Sequence, residues 1–178
     1  MKVEINSTNY YLLRCKEGYL LIDCGWAGKY NEFKKQLSKM NILVGSIKYI
    51  LLTHHHHDHS ALVQDMRKES NCKLIVHKDG IDYLKKGNTY TKETKCYNVW
   101  LKLLDKILSP FVGDVAMKIL RMFGHKVRPI EAENFDEVYK SWKKIIQCGA
   151  GTIYPAHGKS FSVEELKKCL LVESKKAI

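Results

Sequence analysis

Four consecutive histidines, followed by an aspartate and a fifth histidine, occupy residues 54–59 of a chain that otherwise has an ordinary globular composition. The cluster directly follows SIKYILLT, residues 46–53, a nearly all-apolar run bounded by polar residues. Such a run is typical of a strand buried on both faces. The residues that follow, DHSALVQDMRKES, have the pattern of a helix that begins at or near Asp58. The histidines are therefore predicted to lie where a buried strand ends and a helix begins.

This position favours metal binding over the two simpler explanations of a histidine run. In an extended segment, residues two apart project to the same side, so His54 and His56 can converge while His55 and His57 face away. Asp58 and His59 can reach the same pocket from the start of the helix. A purification tag would be terminal and uninterrupted, and a solvated loop would not usually follow directly on YILL. Mixed imidazole and carboxylate ligands suit zinc, iron or manganese better than calcium or magnesium.

The rest of the chain alternates between strand and helix patterns, which favours a layered α/β fold. The predicted elements are, in order, a hairpin over 10–25, a helix over 29–41, a strand over 72–77, a helix over 79–87, a helix over 94–110, a strand over 111–114, a helix over 134–151, a strand and loop over 152–161 and a helix over 162–173. No internal repeat or linker interrupts this order. We expect a single domain over residues 1–178.

Composition sets the broad class of the protein. Apolar residues make up 45% of the chain and charged residues 28%, as in globular domains. No apolar run approaches the ~18 residues of a membrane span, and no signal peptide is visible, so we expect a cytoplasmic protein that does not enter membranes. The cysteines are scattered without a CxxC pair and are expected to be reduced, with no chemistry assigned to them. They are Cys15, Cys24, Cys72, Cys96, Cys148 and Cys169.

The net charge of +11 raises the question of a nucleic-acid partner. The lysines are spread over the chain as pairs on predicted helices, where solvated helix faces commonly carry them. No stacking-aromatic pattern or known nucleic-acid motif accompanies them. Nucleic acid is therefore not the expected partner.

Three segments resemble motifs of the metallo-β-lactamase superfamily, and they occur in that family's order. THHHHDHS, residues 53–60, resembles its metal-binding motif; LLIDCG, 20–25, resembles its early strand ending in Asp-x-Gly; and TIYPAHG, 152–158, resembles its late Pro-x-His-Gly loop. The resemblance implies an αβ/βα four-layer sandwich, with metal bound at one edge between two sheets.

The resemblance also implies a set of metal ligands. Six side chains match the family's ligand positions: His54, His56, Asp58, His59, Asp114 and His157. His54 and His56 correspond to ligands of a first ion, Asp58, His59 and His157 to ligands of a second, and Asp114 to a bridging carboxylate. The simpler alternative for Asp114 is an ordinary Gly-Asp turn. The implied cofactor is zinc, as one or two ions, with iron or manganese as alternatives.

One aspartate and two histidines remain to be interpreted. Asp23 corresponds to a residue beside the ligands that fixes loop geometry, in line with the need to orient metal-bound histidines. His77 ends a predicted strand at a position that is not a ligand in the family, so we interpret it as structural or exposed. His125 in MFGHKV is interpreted as a surface residue.

One family feature is missing from this sequence. Relatives carry another histidine, in a segment resembling Pro-Gly-His-Thr, before the Gly-Asp strand, and this chain has none there. His125 could replace it only if FVGD, residues 111–114, were abandoned as the carboxylate motif. We favour a deletion, with part of the second sheet missing, which leaves an asymmetric or one-metal site. Exposed sheet edges would then favour a homodimer or a segment-swapped dimer.

The expected function is metal-dependent hydrolysis. A zinc-bound water with its pKa lowered towards ~7 supplies hydroxide, the metal polarises a carbonyl or phosphoryl oxygen, and Asp58 orients the nucleophile or passes its proton. The expected substrate is a small ester, lactone, thioester or phosphodiester, among which the fold does not choose. The alternative is a degenerate, weakly active or inactive protein of the same fold that binds metal or acts through association.

Overall fold

The computed structural model describes residues 1–86, 111–118, 127–129, 132 and 134–176. The chain divides into two compact units, Met1–Tyr97 and Asn98–Ile178. The helix predicted over 94–110 and the surface position predicted for His125 lie outside the described residues.

The first unit is built on a sheet with the strand order β1-β2-β3-β4-β5. Its strands are β1 Lys2–Ile5, β2 Thr8–Cys15, β3 Gly18–Ile22, β4 Ile47–Leu51 and β5 Lys73–Ile75. The first three strands pair antiparallel, and β4 and β5 extend the sheet in parallel. The predicted hairpin and the two predicted strands that follow it are confirmed.

Strand β1 is an addition to the sequence prediction. Its residues alternate between exposed and buried, with Val3 and Ile5 in the core. It joins β2 through Asn6 and Ser7, which have φ angles of 50° and 66°. A two-residue turn with positive φ matches the twist of an antiparallel hairpin. The alternation and the Asn-Ser pair were the signals available, but the run is only four residues long.

In the described part of the first unit, the helices flank this sheet, and two of them bury apolar residues in its core. They are α1 Tyr30–Lys39, α2 His57–Ser60, α3 Val63–Ser70 and α4 Ile81–Lys86, with short 3-10 turns at Val44–Ser46 and Lys78–Gly80. Phe33 and Leu37 of α1 and Met66 of α3 are fully buried in one core with Leu21, Ile50 and other strand residues. The predicted helices over 29–41 and 79–87 are confirmed.

The single helix predicted from Asp58 onward is wrong, because the structure has two helices separated at Ala61 and Leu62. The backbone N–H of Ala61 donates to the Gly25 carbonyl as well as to that of His57, and the N–H of Leu62 donates to the Cys24 carbonyl. These bonds to a distant loop replace the next turn of helix. Local sequence patterns could not reveal a partner located 36 residues earlier.

The strand before the histidines lies between β3 and β5 in its sheet, but it is not buried along its whole length as predicted. Ile47 and Ile50 are fully buried, whereas Lys48 is exposed. The Lys48 ammonium donates to the Gly45 carbonyl, which keeps this side chain at the surface near the start of the strand. The prediction of burial on both faces is therefore wrong at this position.

The second unit contains a smaller sheet with the described strand order β6-β7-β8. Its elements are β6 Phe111–Gly113, α5 Phe135–Gln147, β7 Thr152–Pro155, β8 Phe161–Ser162 and α6 Val163–Lys176. Strand β7 pairs parallel with β6 and antiparallel with β8. The predicted strands over 111–114 and 152–161 and the helices over 134–151 and 162–173 are confirmed.

Helix α5 covers this sheet through an apolar core of its own. Trp142 is fully buried and packs with Ile153 and Leu166 in one cluster. The Asn134 side chain accepts from the backbone N–H groups of Asp136 and Glu137, which starts the helix as an N-cap.

The predicted α/β class, with two sheets and flanking helices, is confirmed. Within the described ranges of the chain, none of the helices has both the length and the apolar composition that crossing a bilayer requires.

Candidate metal centre

The histidines of the first unit cluster where β4 gives way to α2. The His54 ring lies 4.4 Å from the His56 ring and 4.0 Å from the His59 ring, measured between centroids. The extended residues after β4 carry His54 and His56, and the first turn of α2 carries His59. The predicted approach of these three imidazoles, from the strand end and from the helix start, is present in the structure.

Asp58 adds a carboxylate to this group. Its Oδ2 lies 3.3 Å from Nε2 of His59, and both residues are buried. The backbone carbonyl of Asp58 accepts from the Tyr10 hydroxyl at 3.1 Å. The first unit alone therefore brings four of the six predicted ligands into one cluster: His54, His56, Asp58 and His59.

Asp23, at the end of β3, organises two of these histidines. Its Oδ2 lies 2.8 Å from Nδ1 of His59 and accepts from the Thr53 hydroxyl at 2.7 Å, while its Oδ1 accepts from the Thr53 N–H at 2.8 Å. A carboxylate only accepts hydrogen bonds, so the proton of a neutral His59 ring is on Nδ1 and the lone pair on Nε2. Nε2 is the atom that faces Asp58.

The same logic extends to His54 through Thr53. The Thr53 hydroxyl uses its one proton to donate to Asp23, so it accepts at its 3.0 Å contact with Nδ1 of His54. His54 therefore also carries its proton on Nδ1 and its lone pair on Nε2. One buried carboxylate thus sets the tautomer of two rings, as outer carboxylates do for metal-bound histidines.

Hydrogen bonds and a close packing contact fix the backbone around Asp23. Asp23 has a φ of 58°, in the left-handed region, and its N–H donates to the Leu51 carbonyl. The Cys24 N–H donates to the His59 carbonyl at 2.7 Å, so the loop after β3 is joined directly to α2. Gly25 has a φ of 63°, and a Cβ there would lie 2.3 Å from the Leu62 side chain. A larger residue at this position would require the buried Leu62 side chain to shift.

Sequence reasoning missed the residues that support Asp58. The Thr8 hydroxyl contacts Oδ2 of Asp58 at 3.5 Å and accepts from the Trp26 indole N–H at 3.1 Å. Burial raises the pKa of the Tyr10 phenol well above its usual range, so Tyr10 stays protonated and donates to the Asp58 carbonyl. All three lie far from the histidines in sequence, and nothing in their local pattern indicates this role.

The remaining described histidines of the first unit, His55, His57 and His77, also contact residues outside the cluster. His55 stacks on Tyr83 with centroids 4.8 Å apart, and His57 meets the Trp26 ring edge-on at 4.7 Å. His77 contacts Asp79 locally and accepts from its backbone N–H. Burial, followed by the negative charge of Asp23, raises the pKa of the Cys24 thiol.

The second unit brings the remaining two predicted ligands together. Asp114 lies in the turn after β6 and His157 follows β7, and Oδ1 of Asp114 lies 3.3 Å from Nε2 of His157. The Ala156 N–H donates to the Gly113 carbonyl at 3.0 Å, which continues the parallel pairing of β6 and β7 beyond the strand ends. Each unit thus presents carboxylate and imidazole groups side by side. Such donors suit zinc, iron or manganese.

Comparisons with known proteins agree with these motifs. A family model described as the metallo-beta-lactamase superfamily matches residues 4–95, more than half of the chain. No curated protein matches the chain.

Solved structures show partial likeness. A subclass B3 metallo-beta-lactamase of Bradyrhizobium japonicum is 21% identical with a TM-score of 0.47, over 55% of this chain and 44% of that one. A metallo-beta-lactamase from Cronobacter sakazakii is 16% identical with a TM-score of 0.47, over 55% of this chain and 42% of that one. This chain therefore spans less than half of the length of these structures.

The matched range, residues 4–95, runs from β1 past the histidine cluster, so it contains Asp23 and the four clustered residues of the first unit that were predicted as ligands. The chain belongs to the metallo-beta-lactamase superfamily.

Proposed function

We propose that this protein is a metal-dependent hydrolase that uses zinc. The observation that carries the proposal is the pair formed by His59 and Asp58. The contact with Asp23 turns the lone pair of His59 Nε2 towards Oδ2 of Asp58, 3.3 Å away. An imidazole nitrogen and a carboxylate oxygen this close together can both bind one cation.

The donor set fits zinc. In the first unit, His54, His56 and His59 offer imidazole nitrogens and Asp58 a carboxylate, which are ligand types that zinc prefers. Asp23 supplies the outer carboxylate that such histidines usually have. The family resemblance motivates Asp114 and His157 as the further ligands, in the one-domain arrangement over residues 1–178 that the sequence led us to expect. Iron or manganese could replace zinc with the same donors.

The chemistry divides between the ion and the chain. A bound zinc ion would polarise a carbonyl or phosphoryl oxygen and make water more acidic. Asp58 is our candidate for the group that orients the attacking water and accepts its proton, because its Oδ2 is beside the ligand nitrogen of His59. Tyr10 and Thr8 hold Asp58 through its carbonyl and carboxylate, respectively.

We propose a small ester, lactone, thioester or phosphodiester as the substrate. All four present an oxygen that a Lewis acid can polarise and a bond that water can break. The choice among them depends on groups that bind the rest of the substrate, so it needs a panel of compounds rather than a single assay.

The second candidate is a protein that binds metal without turnover. The sequence favours it at one point, the missing segment resembling Pro-Gly-His-Thr, because a first ion held by His54 and His56 would lack its third imidazole. An ion with too few protein ligands binds weakly, and a two-ion reaction would then fail.

The test combines elemental analysis of the purified chain with hydrolysis of the four substrate classes. We expect at least one zinc ion per chain and chelator-sensitive hydrolysis of at least one class. Replacing His59 with alanine should reduce both the metal content and the activity. His77→Ala is the matched control, since His77 is a histidine of the same unit outside the cluster, and it should change neither.

The outcomes separate the two candidates. Zinc content that depends on His59, without hydrolysis in any class, would support the metal-binding protein. A chain that contains no metal and does not respond to chelators would rule out both.

A further inference from the structure

We propose that the ion pair between Lys118 and Glu165 positions the Asp114 and His157 side chains. The inference rests on the proposed function, in which these two side chains are metal ligands. Lys118 and Glu165 do not contact the ligands through their own side chains in this proposal. They act by fixing the loops that carry them.

Backbone contacts join the Lys118 segment to the His157 loop. The Lys118 N–H donates to the His157 carbonyl at 3.2 Å, and Lys118 forms a parallel bridge with Gly158. Gly158 has a φ of 89°, and a Cβ there would lie 2.5 Å from the Lys118 carbonyl oxygen. A side chain at position 158 would therefore collide with the Lys118 backbone. Asp114 lies four residues before Lys118, so it begins the same segment.

The Lys118 side chain makes a second connection, to the elements that follow His157. Its ammonium lies 2.8 and 2.9 Å from the two carboxylate oxygens of Glu165, in α6, and 5.5 Å from the Phe161 ring centroid, in β8. Phe161 is buried and pairs with Ile153 of β7. The loop from His157 to β8 is thus held at both ends, by β7 before it and by β8 and α6 after it, with Lys118 contacting both sides.

Partial burial distinguishes this ion pair from a surface pair. The Lys118 side chain is 14% exposed and that of Glu165 is 39% exposed, and a lysine at such a position needs a partner for its charge. Exposed pairs of the same unit, such as Lys140 with Glu137 at 2.7 Å, are held by one helix and connect no loops. The Lys118 pair is therefore a polar link between the Asp114 segment and α6, in addition to the apolar packing of Ala116 and Leu166 in one core.

The test uses the full chain with three variants and one control. Lys118→Met and Glu165→Gln each break the pair, Lys118→Arg keeps its charge, and Glu137→Gln breaks the exposed pair as a control. The first measurement is the zinc dissociation constant by chelator competition. The second is hydrogen exchange of the Lys118 and Ala156 amides in the metal-free protein, which reports loop order without any metal.

We expect Lys118→Met and Glu165→Gln to weaken zinc binding about 10-fold or more, as the loss of outer partners commonly does. Both should also speed exchange at the Lys118 amide. The double variant should bind no worse than the weaker single variant, because the two changes remove one interaction. Lys118→Arg should stay near the parent, and Glu137→Gln should match it in both measurements.

Zinc affinity in Glu165→Gln within about twofold of the parent would overturn the inference while leaving the proposed function intact. The same holds if affinity falls but the Lys118 amide keeps its protection, because the effect would then not pass through this loop. A parent protein that binds no zinc would overturn the proposed function, and the inference with it.

Discussion

Asp23 shows how a single buried residue can determine the chemistry of a larger group. Its two oxygens contact Thr53 twice and His59 once, and through the Thr53 hydroxyl they also set the proton position on His54. Without these contacts each ring could rotate or change tautomer, and its Nε2 lone pair would lose its direction. The side chain with the greatest influence on the cluster is therefore outside the run of histidines.

Replacing Asp23 with asparagine tests this directly. The amide keeps one accepting oxygen in place of two, so its NH2 group must face either the Thr53 N–H or the Thr53 hydroxyl and His59, which now meet a carboxylate oxygen. We expect zinc affinity to fall about 10- to 100-fold in a chain that still folds. Chelator competition measures the effect. The control is Asp136→Asn, the same chemical change at an exposed position of α5, which should leave affinity unchanged. Equal affinities in the two variants would contradict the role assigned to Asp23.

At the scale of elements, the close contact at Gly158 predicts a graded response to alanine. Gly158→Ala must place a Cβ 2.5 Å from a backbone oxygen in left-handed geometry, whereas Gly149→Ala has the same kind of φ, 76°, with open space around it. We expect a loss of about 3 kcal/mol in the free energy of unfolding for Gly158→Ala and about 1 kcal/mol for Gly149→Ala. Urea denaturation compares them. Equal losses would show that the backbone contact costs nothing.

Helices α1 and α3 are connected at the surface by a network with a pH dependence of its own. The Tyr30 hydroxyl donates to Glu69 at 2.8 Å, and the Lys34 ammonium lies 3.2 Å from the same carboxylate. The hydrogen bond from Tyr30, and then Lys34, lowers the pKa of Glu69. Burial, and then Glu69, raises the pKa of Tyr30 above its usual range.

These shifts predict the pH range in which Tyr30→Phe is destabilising. A lowered carboxyl pKa stabilises the fold above the unfolded value of about 4.3 and loses that effect as pH falls. A raised tyrosine pKa stabilises the fold below about 10 and loses that effect as pH rises. The difference in unfolding free energy between parent and variant should therefore be largest between these values. NMR titration should show a higher Glu69 pKa in Tyr30→Phe. A constant difference from pH 3 to 11 would contradict the account.

The sequence predicted elements well where the apolar pattern was long, and poorly where distant partners intervened. The strand before His54, helix α1 and the long helix α5 all follow from periodicity and caps. The separation of α2 from α3 does not, because its cause is the loop at Cys24 and Gly25, which bonds to backbone groups of Ala61 and Leu62. Contacts of this kind depend on the folded arrangement and have no local signal.

The candidate site also contains residues that the sequence predicted and residues that it did not. The four clustered candidate ligands of the first unit and the Asp114 and His157 pair were all predicted from their motifs. Thr8, Tyr10 and Trp26 were not, since a threonine or tyrosine in a strand and a tryptophan in a loop are usually core or surface residues. Their contribution is visible only in the contacts of Thr8 and Tyr10 with Asp58 and of Trp26 with Thr8.

At the scale of the whole molecule, each unit has its own apolar core and its own carboxylate and imidazole pair. Membership in the metallo-beta-lactamase superfamily is carried by the match over residues 4–95. We propose that the clustered histidines bind zinc through their ring nitrogens.

X-ray absorption spectroscopy at the zinc edge of the loaded chain tests that claim most directly. We expect nitrogen and oxygen ligands at about 2.0–2.1 Å, with outer-shell scattering from at least two imidazoles that decreases in His59→Ala. A sulfur shell at about 2.3 Å, or the same spectrum in parent and His59→Ala, would contradict the account, because the ion would then be bound elsewhere.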